Sequence, residues 1–338
     1  MGSRVPYDLP VELLTDILTY TIEENPRPND ALAVNSVFHD VGVALLYTRL
    51  RFRTVRQLSL FAASPAPVPV PPRHVEVRLS GGTAGFLVFR DLAEAFRKCS
   101  LAQTVNGAAG NDNACNSLKS SGSTSPLPLD LDSLSLCLNS HSSNPYLHYV
   151  YKALKLVNPR RFTWLGPDPS HHFSTAVSSM PSIVPTATLF LFGAMAEWSN
   201  VEHITLTNIS FPSDIPLSED SDSSSAPQAS SLYVFPTLPR LRVLYIGQAT
   251  RLLPSTIAHM LFMPGQDSLE RIQLVDAYKQ SIWGSRVRRR DVEKAALALP
   301  LDLAPETIVE RVKALVRCEA KTERIMGGDR VEGTSSLE

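Results

Sequence analysis

Apolar residues recur along the chain with two different periods, and the change between them divides it. Leucine or isoleucine falls at 9, 13, 14, 17 and 18, the spacing of one helical face, with Pro10 tolerated in a first turn and Asp8 beside the positive helix end. The spacing predicts a helix over 9–21. After the turn Asn25-Pro26-Arg27-Pro28, Asn29 or Asp30 can cap a second helix carrying Leu32, Val34, Val37 and Phe38. Gly42 loosens the next turn ahead of Val43-Ala44-Leu45-Leu46-Tyr47.

Beyond residue 72 the period shortens to two. Leu131, Leu134, Leu136 and Asn139 fit L-x-x-L-x-L-x-x-N, and its apolar half returns at Val201/Ile204/Leu206, Leu241/Leu244/Ile246 and Leu269/Ile272/Leu274, with Asn208 slightly displaced. Val75/Val77 and Phe162/Trp164 align by alternation. The steps from Leu134 to Phe162 and from Leu244 to Ile272 are each 28 residues, within the ~20–29 of a leucine-rich repeat. Helical patterns fall between the strands at Tyr146 to Val157, Leu189 to Trp198 and Ser255 to Phe262. One strand and one helix cannot cover their own apolar face, so such units must stack. An ordinary α/β domain with buried strands is the competing expectation. An amphipathic helix after Pro305, with Ile308, Val309, Val312, Leu315 and Val316, is placed to close the end of the stack.

Three tracts interrupt this order with compositions that build no core. Ser64 to Pro72 has prolines at 65, 67, 69, 71 and 72 and reads as a stiff spacer, hence a domain boundary. Residues 100–126, rich in Ser, Asn and Gly, and 212–231, rich in Ser with Asp214, Glu219, Asp220 and Asp222, read as mobile insertions. The longest apolar stretch, Ile183 to Trp198, is interrupted by Pro185 and Glu197 and is shorter than the ~20 residues that cross a bilayer, so it reads as a buried helix.

Composition narrows the function. The 338 residues carry 32 Lys plus Arg against 33 Asp plus Glu, so no global field points at nucleic acid or an anionic membrane. Cys99, Cys115, Cys137 and Cys318 form no CxxC pair, which argues against a zinc knuckle or a disulfide framework. With no signal-peptide core at the start, a reducing compartment, cytoplasmic and/or nuclear, is expected, and Asn208-Ile209-Ser210 is an unused sequon.

Catalytic constellations are weak. Gly81-Gly82-Thr83-Ala84-Gly85 lacks the lysine of a phosphate-binding loop and reads as a turn. His171-His172 has no further ligands nearby, and Asp130-Leu131-Asp132 overlaps the repeat template, so no metal and no cofactor are expected. Arg286, Arg288, Arg289 and Arg290 make the only dense basic cluster, with Asp291 and Glu293 following at once, as at an exposed helix start. Serines beside carboxylates in Ser218 to Ser225 suit phosphorylation. An unrecognised enzyme site in the repeats would need a deep pocket with convergent polar groups.

The stretch Leu9-Pro10-Val11-Glu12-Leu13-Leu14-Thr15-Asp16-Ile17-Leu18, with Ala33-Val34-Asn35-Ser36-Val37-Phe38-His39 and Leu45-Leu46-Tyr47-Thr48-Arg49-Leu50-Arg51-Phe52, resembles an F-box over about residues 7–52. It is most similar to F-box-like proteins abundant in fungi. The resemblance implies that Leu9, Pro10, Leu13, Ile17 and Val34 pack on a Skp1-like adaptor and so join a cullin ligase. The family's usual Leu-Val-Ser-Lys reads Ala33-Val34-Asn35-Ser36 here, and the late tryptophan of many F-boxes is absent.

The expected architecture is an α+β or α/β repeat: an F-box-like helical module (5–60), a Pro-rich linker (61–72), an irregular leucine-rich-repeat-like solenoid (73–325) with insertions at 100–126 and 212–231, and a C-terminal tail (326–338). The implied role is the non-catalytic substrate-recognition adaptor of an SCF-type ubiquitin ligase, with an unknown protein target and neither nucleic acid nor membrane as partner. A non-ligase interaction scaffold with an F-box-like fold is the alternative.

Overall fold

The computed structural model describes residues 10–24, 28–79, 85–108, 128–166, 183–212, 235–325 and 328–337. Three helices open it: α1 (Val11–Glu24), α2 (Pro28–Leu32) and α3 (Ser36–Thr48). They pack around their own small core, with Leu14, Leu18 and Ala31 buried and Ile22, Phe38, Val41 and Leu45 against them. The second predicted helix divides in two, because Asn35 caps α3 by accepting from the Phe38 backbone N–H at 2.9 Å. Val34 therefore sits in the turn between α2 and α3. Gly42 does not break the helix. It lies buried inside α3, where a β-carbon would collide with a Leu32 methyl, so the missing side chain lets α2 approach.

The remainder is an α/β fold with a nine-stranded, mostly parallel sheet alternating with helices. The strands are β1 (Arg49–Phe52), β2 (His74–Arg78), β3 (Leu129–Cys137), β4 (Val157–Leu165), β5 (His203–Thr207), β6 (Val243–Gly247), β7 (Arg271–Val275), β8 (Val316–Ile325) and β9 (Gly328–Ser336). They neighbour one another in chain order, and only the β8–β9 pairing is antiparallel. The connecting helices are α4 (Val55–Ala63), α5 (Val88–Ala108), α6 (His148–Leu154), α7 (Pro185–Met195), α8 (Pro254–Phe262), α9 (Arg289–Leu297) and α10 (Pro305–Leu315). Among the described residues, no helix is long and apolar enough to cross a membrane.

The register follows the sequence template residue for residue. Val75 pairs Leu134, which pairs Phe162, then Ile204, Leu244 and Ile272. These six side chains are buried, as is the second row from Val77 through Leu136, Trp164, Leu206 and Ile246 to Leu274. Trp164 and Trp198 keep their indole N–H groups paired inside the core by donating to the carbonyls of Leu138 and Leu154, each at 3.0 Å. The residues that alternate with these two rows, from His74 and Glu76 in β2 to Arg271 and Gln273 in β7, are half-buried or exposed on the opposite face.

Four sequence boundaries need correction. The Pro-rich tract is no domain boundary: β1, placed in the helical module, pairs in parallel with β2, and Phe52 and Leu58 are buried in the large core. The tract is the connection from α4 to β2, held by buried Val68 and by Lys98, which donates to the carbonyls of Phe61 and Ser64 at 3.1 and 2.8 Å. Residues 100–108 belong to α5 rather than to an insertion. Ser100 is buried and donates to the Phe96 carbonyl, and Ala102 packs on the core; residues 109–127 lie outside the described part. The C-terminal segment is not a tail, since β9 pairs with β8, which replaces α10 as the end of the stack. Val157, expected at a helix end, opens β4. The second insertion lies outside the described residues from 213 on.

Candidate functional site

The side chains of α1 separate into two faces by helical spacing. Leu14 and Leu18 turn into the module's core. Leu13, Ile17 and Tyr20, at i, i+4 and i+7, lie on one face and are 50%, 48% and 71% exposed. Pro10 is also exposed, directly ahead of α1. Val34 is 62% exposed in the α2–α3 turn, and Val37 in the first turn of α3 is 41% exposed. Of the five residues the resemblance placed on a partner, four are thus uncovered by the chain's own fold, and Leu9 lies outside the described residues. Val11 is exposed as well, so exposed apolar side chains, ordinary when isolated, are frequent on this module.

The candidates for chemistry are occupied by structure. Asp130 accepts from the amide groups of Asn158 and Asn200, both at 3.2 Å, and buried Asn158 also accepts from the backbone N–H groups of Ser199 and Asn200. Its role is to tie adjacent repeats together. Asp132 points instead toward His74, at 3.9 Å. The arginine cluster opens α9: Arg286 pairs with buried Asp276 at 3.1 Å and lies over the Tyr278 ring, and Arg289 pairs with Glu293. The Asp291 carboxylate accepts from the Arg288 backbone N–H at 2.9 Å and meets Lys279 at 3.0 Å. Although partial burial opposes it, these partners hold the Asp291 carboxyl below its ordinary value. Among the described residues no group of three or more His, Cys, Asp or Glu is gathered to hold a metal. Residues 81–84, His171, His172 and Ser218 to Ser225 lie outside the described residues.

The open face of the sheet carries a second feature that the sequence reading missed. The column formed by Arg49, His74, Ser133, Arg161, His203, Val243 and Arg271 runs across seven consecutive strands as direct Cα partners. Five of the seven are cationic or titratable to cations. The signal was present: each stands one residue before an apolar position of the template, so reading that column down the aligned repeats reveals it. A cleft of about 320 Å³ lies at the β1 end, lined by Arg49, Arg51, His74, Glu76, Ser133 and Ser135.

Comparison with protein-family models, with curated proteins and with solved structures returns no match for this chain.

Proposed function

We propose that the chain is a substrate-recognition adaptor of an SCF-type ubiquitin ligase, with α1–α3 as an F-box-like module on a Skp1-like adaptor and the sheet domain as an irregular leucine-rich-repeat-like receptor for a protein target. The exposure of Leu13, Ile17 and Val34 carries the reading. These apolar residues, singled out by the resemblance, are among those the fold leaves uncovered, and burying each against a partner supplies ~1.5–3 kcal/mol before association costs. The one-directional stacking of strands in constant register supports the repeat reading. So do the left-handed residues Asn208, Gln248 and Asp276 (φ 54°, 49° and 49°), each directly after its strand. In this role the chain makes no bonds itself; it raises the concentration of a target beside the ubiquitin-carrying enzyme.

Ala33 and Ser36, exposed where F-boxes carry leucine and lysine, favour the second reading of a non-ligase scaffold with the same module. Co-purification with a Skp1-type adaptor separates the two. Association of the intact protein, lost in Leu13→Asp with thermal unfolding unchanged, is the expected result. An intact, folded chain that fails to associate overturns the adaptor assignment.

A further inference from the structure

After β7 the chain passes to α9 through a short hairpin over residues 277–287. Tyr278 pairs antiparallel with Arg286, Lys279 donates its backbone N–H to the Ser285 carbonyl at 3.0 Å, and Val287 closes the base on the Ala277 carbonyl at 2.8 Å. The tip is a β-turn in which the Gly284 N–H reaches the Ser281 carbonyl at 2.8 Å and the Trp283 N–H reaches the Ser281 hydroxyl at 3.3 Å. The neighbouring repeat steadies the arm, since Arg251 and Leu252 donate backbone N–H groups to the carbonyls of Gln280 and Tyr278 at 2.7 and 3.0 Å. This well-bonded turn carries a side chain that the fold does not use. Trp283 is 68% exposed, whereas Trp164 and Trp198 are buried, and Leu253, next to the bonded Leu252, is 39% exposed. The arm also meets the basic cluster: Lys279 reaches Asp291 at 3.0 Å, which sets the hairpin against the first turn of α9. The carboxylates of residues 276–293 are all engaged, Asp276 by Arg286 at 3.1 Å, Asp291 by Lys279 and Glu293 by Arg289 at 3.4 Å. Arg288 and Arg290 remain, both exposed. Neither takes part in an ion pair among the described residues, and Arg290 reaches Asp291 through its field alone.

We infer that the hairpin tip anchors a docking surface for an acidic segment of a partner protein, in which an apolar side chain packs on the Trp283 indole and flanking carboxylates meet Arg288 and Arg290. This rests on the reading of the sheet domain as the target receptor and names the chemistry of the target. Trp and Arg concentrate binding energy in protein interfaces, because the one covers a large rigid ring and the other meets a carboxylate in two parallel bonds. Rigidity adds to this. The turn is held by its own hydrogen bonds before a partner arrives, so little ordering remains to oppose association. Charge selects the occupant: with the local carboxylates engaged, the surplus at the start of α9 is positive, so a basic segment is repelled and an acidic one is drawn in. Exposed Leu253, beside the arm, extends the apolar part of the surface onto the neighbouring repeat.

The test is fluorescence anisotropy with the full chain and a labelled nine-residue peptide in which two leucines are set among glutamates and serines. Trp283→Ser and Arg288→Glu/Arg290→Glu are each expected to weaken binding at least tenfold with the unfolding midpoint unchanged. Lys152→Glu/Lys155→Glu, the same charge change on α6, is expected to stay within twofold. The intrinsic emission of the wild type should move to shorter wavelength as the peptide covers Trp283, since Trp164 and Trp198 are buried already. Undiminished affinity in Trp283→Ser or in Arg288→Glu/Arg290→Glu overturns the surface. So does failure of the acidic peptide to bind, including the case in which a phosphoserine peptide, an anionic vesicle or an oligonucleotide binds in its place. Adaptor association is measured in parallel on the same proteins: peptide loss with adaptor binding retained supports this surface, and a wild-type chain that binds the peptide but no adaptor overturns the F-box reading alone.

Discussion

Leu13 and Leu18 lie five residues apart on α1 and predict opposite outcomes. Leu18 is fully buried, so Leu18→Ala should cost about 2–5 kcal/mol and lower the unfolding midpoint of the helical module. Leu13, half exposed, should change stability by no more than ~0.5 kcal/mol on the same substitution while weakening adaptor binding. Denaturant titration followed by circular dichroism separates the two. Asn158 answers a different question, how adjacent repeats hold together. Asn158→Leu removes the acceptor of the Ser199 and Asn200 N–H groups and should cost about 2–4 kcal/mol in the same measurement. The thiols give a test with a defined sign. Burial pushes both Cys99 and Cys318 up to about 12. An unfolded thiol ionises near ~8.5, so the folded state holds these protons longer; their stabilisation is whole below about pH 8.5 and is lost as pH climbs toward 12. Neither cysteine should react with iodoacetamide at pH 8 in the folded protein, as peptide mass spectrometry reads directly.

At the scale of elements, legibility depended on whether a segment's apolar period belonged to one structure only. The six aligned strand positions were readable because Leu, Ile, Val and Phe alternate there with polar residues between loops rich in Pro and Ser. β1 was not, since Arg49-Leu50-Arg51-Phe52 offers two apolar residues and follows α3 with no intervening turn signal. β8 was hidden by an overlap: Val316 completes the helical series Ile308, Val312, Leu315, yet with Cys318 and Ala320 it starts a strand alternation. α5 was missed altogether: Val88, Phe89, Leu92, Phe96 and Cys99 make a helical face, but the segment after Ser100 has the composition of a loop, and burial of Ser100 against the core holds the helix there. The five site residues came from resemblance; periodicity alone gave their helix and could not say which face stays bare. Because β1 and α4 complete the sheet and cover α5, a chain starting at residue 73 should expose the β2 edge and aggregate, whereas one starting at 49 should elute as a discrete folded species. Size-exclusion chromatography of both chains checks this.

Over the whole molecule, the two cores are unequal. The sheet domain shares one continuous core from Phe52 to Cys318, whereas the core of the helical module holds, among the described residues, only Leu14, Leu18 and Ala31 as buried side chains. So small a unit hides too little apolar surface to offset its own ordering entropy. It is joined to the larger core through Tyr47 and Leu50, at the point where α3 runs directly into β1. Local opening free energies should therefore differ: amides of α1 and α2 are expected to exchange hydrogen orders of magnitude faster than those of β3 to β7, which require global unfolding. A partner that covers Leu13, Ile17 and Val34 adds the missing buried surface to the weaker unit alone. Adaptor binding should then slow exchange in α1–α3 and leave β3–β7 unchanged. Hydrogen exchange read by mass spectrometry distinguishes these outcomes, and slowed exchange spread evenly over both cores would mean that they act as one cooperative unit.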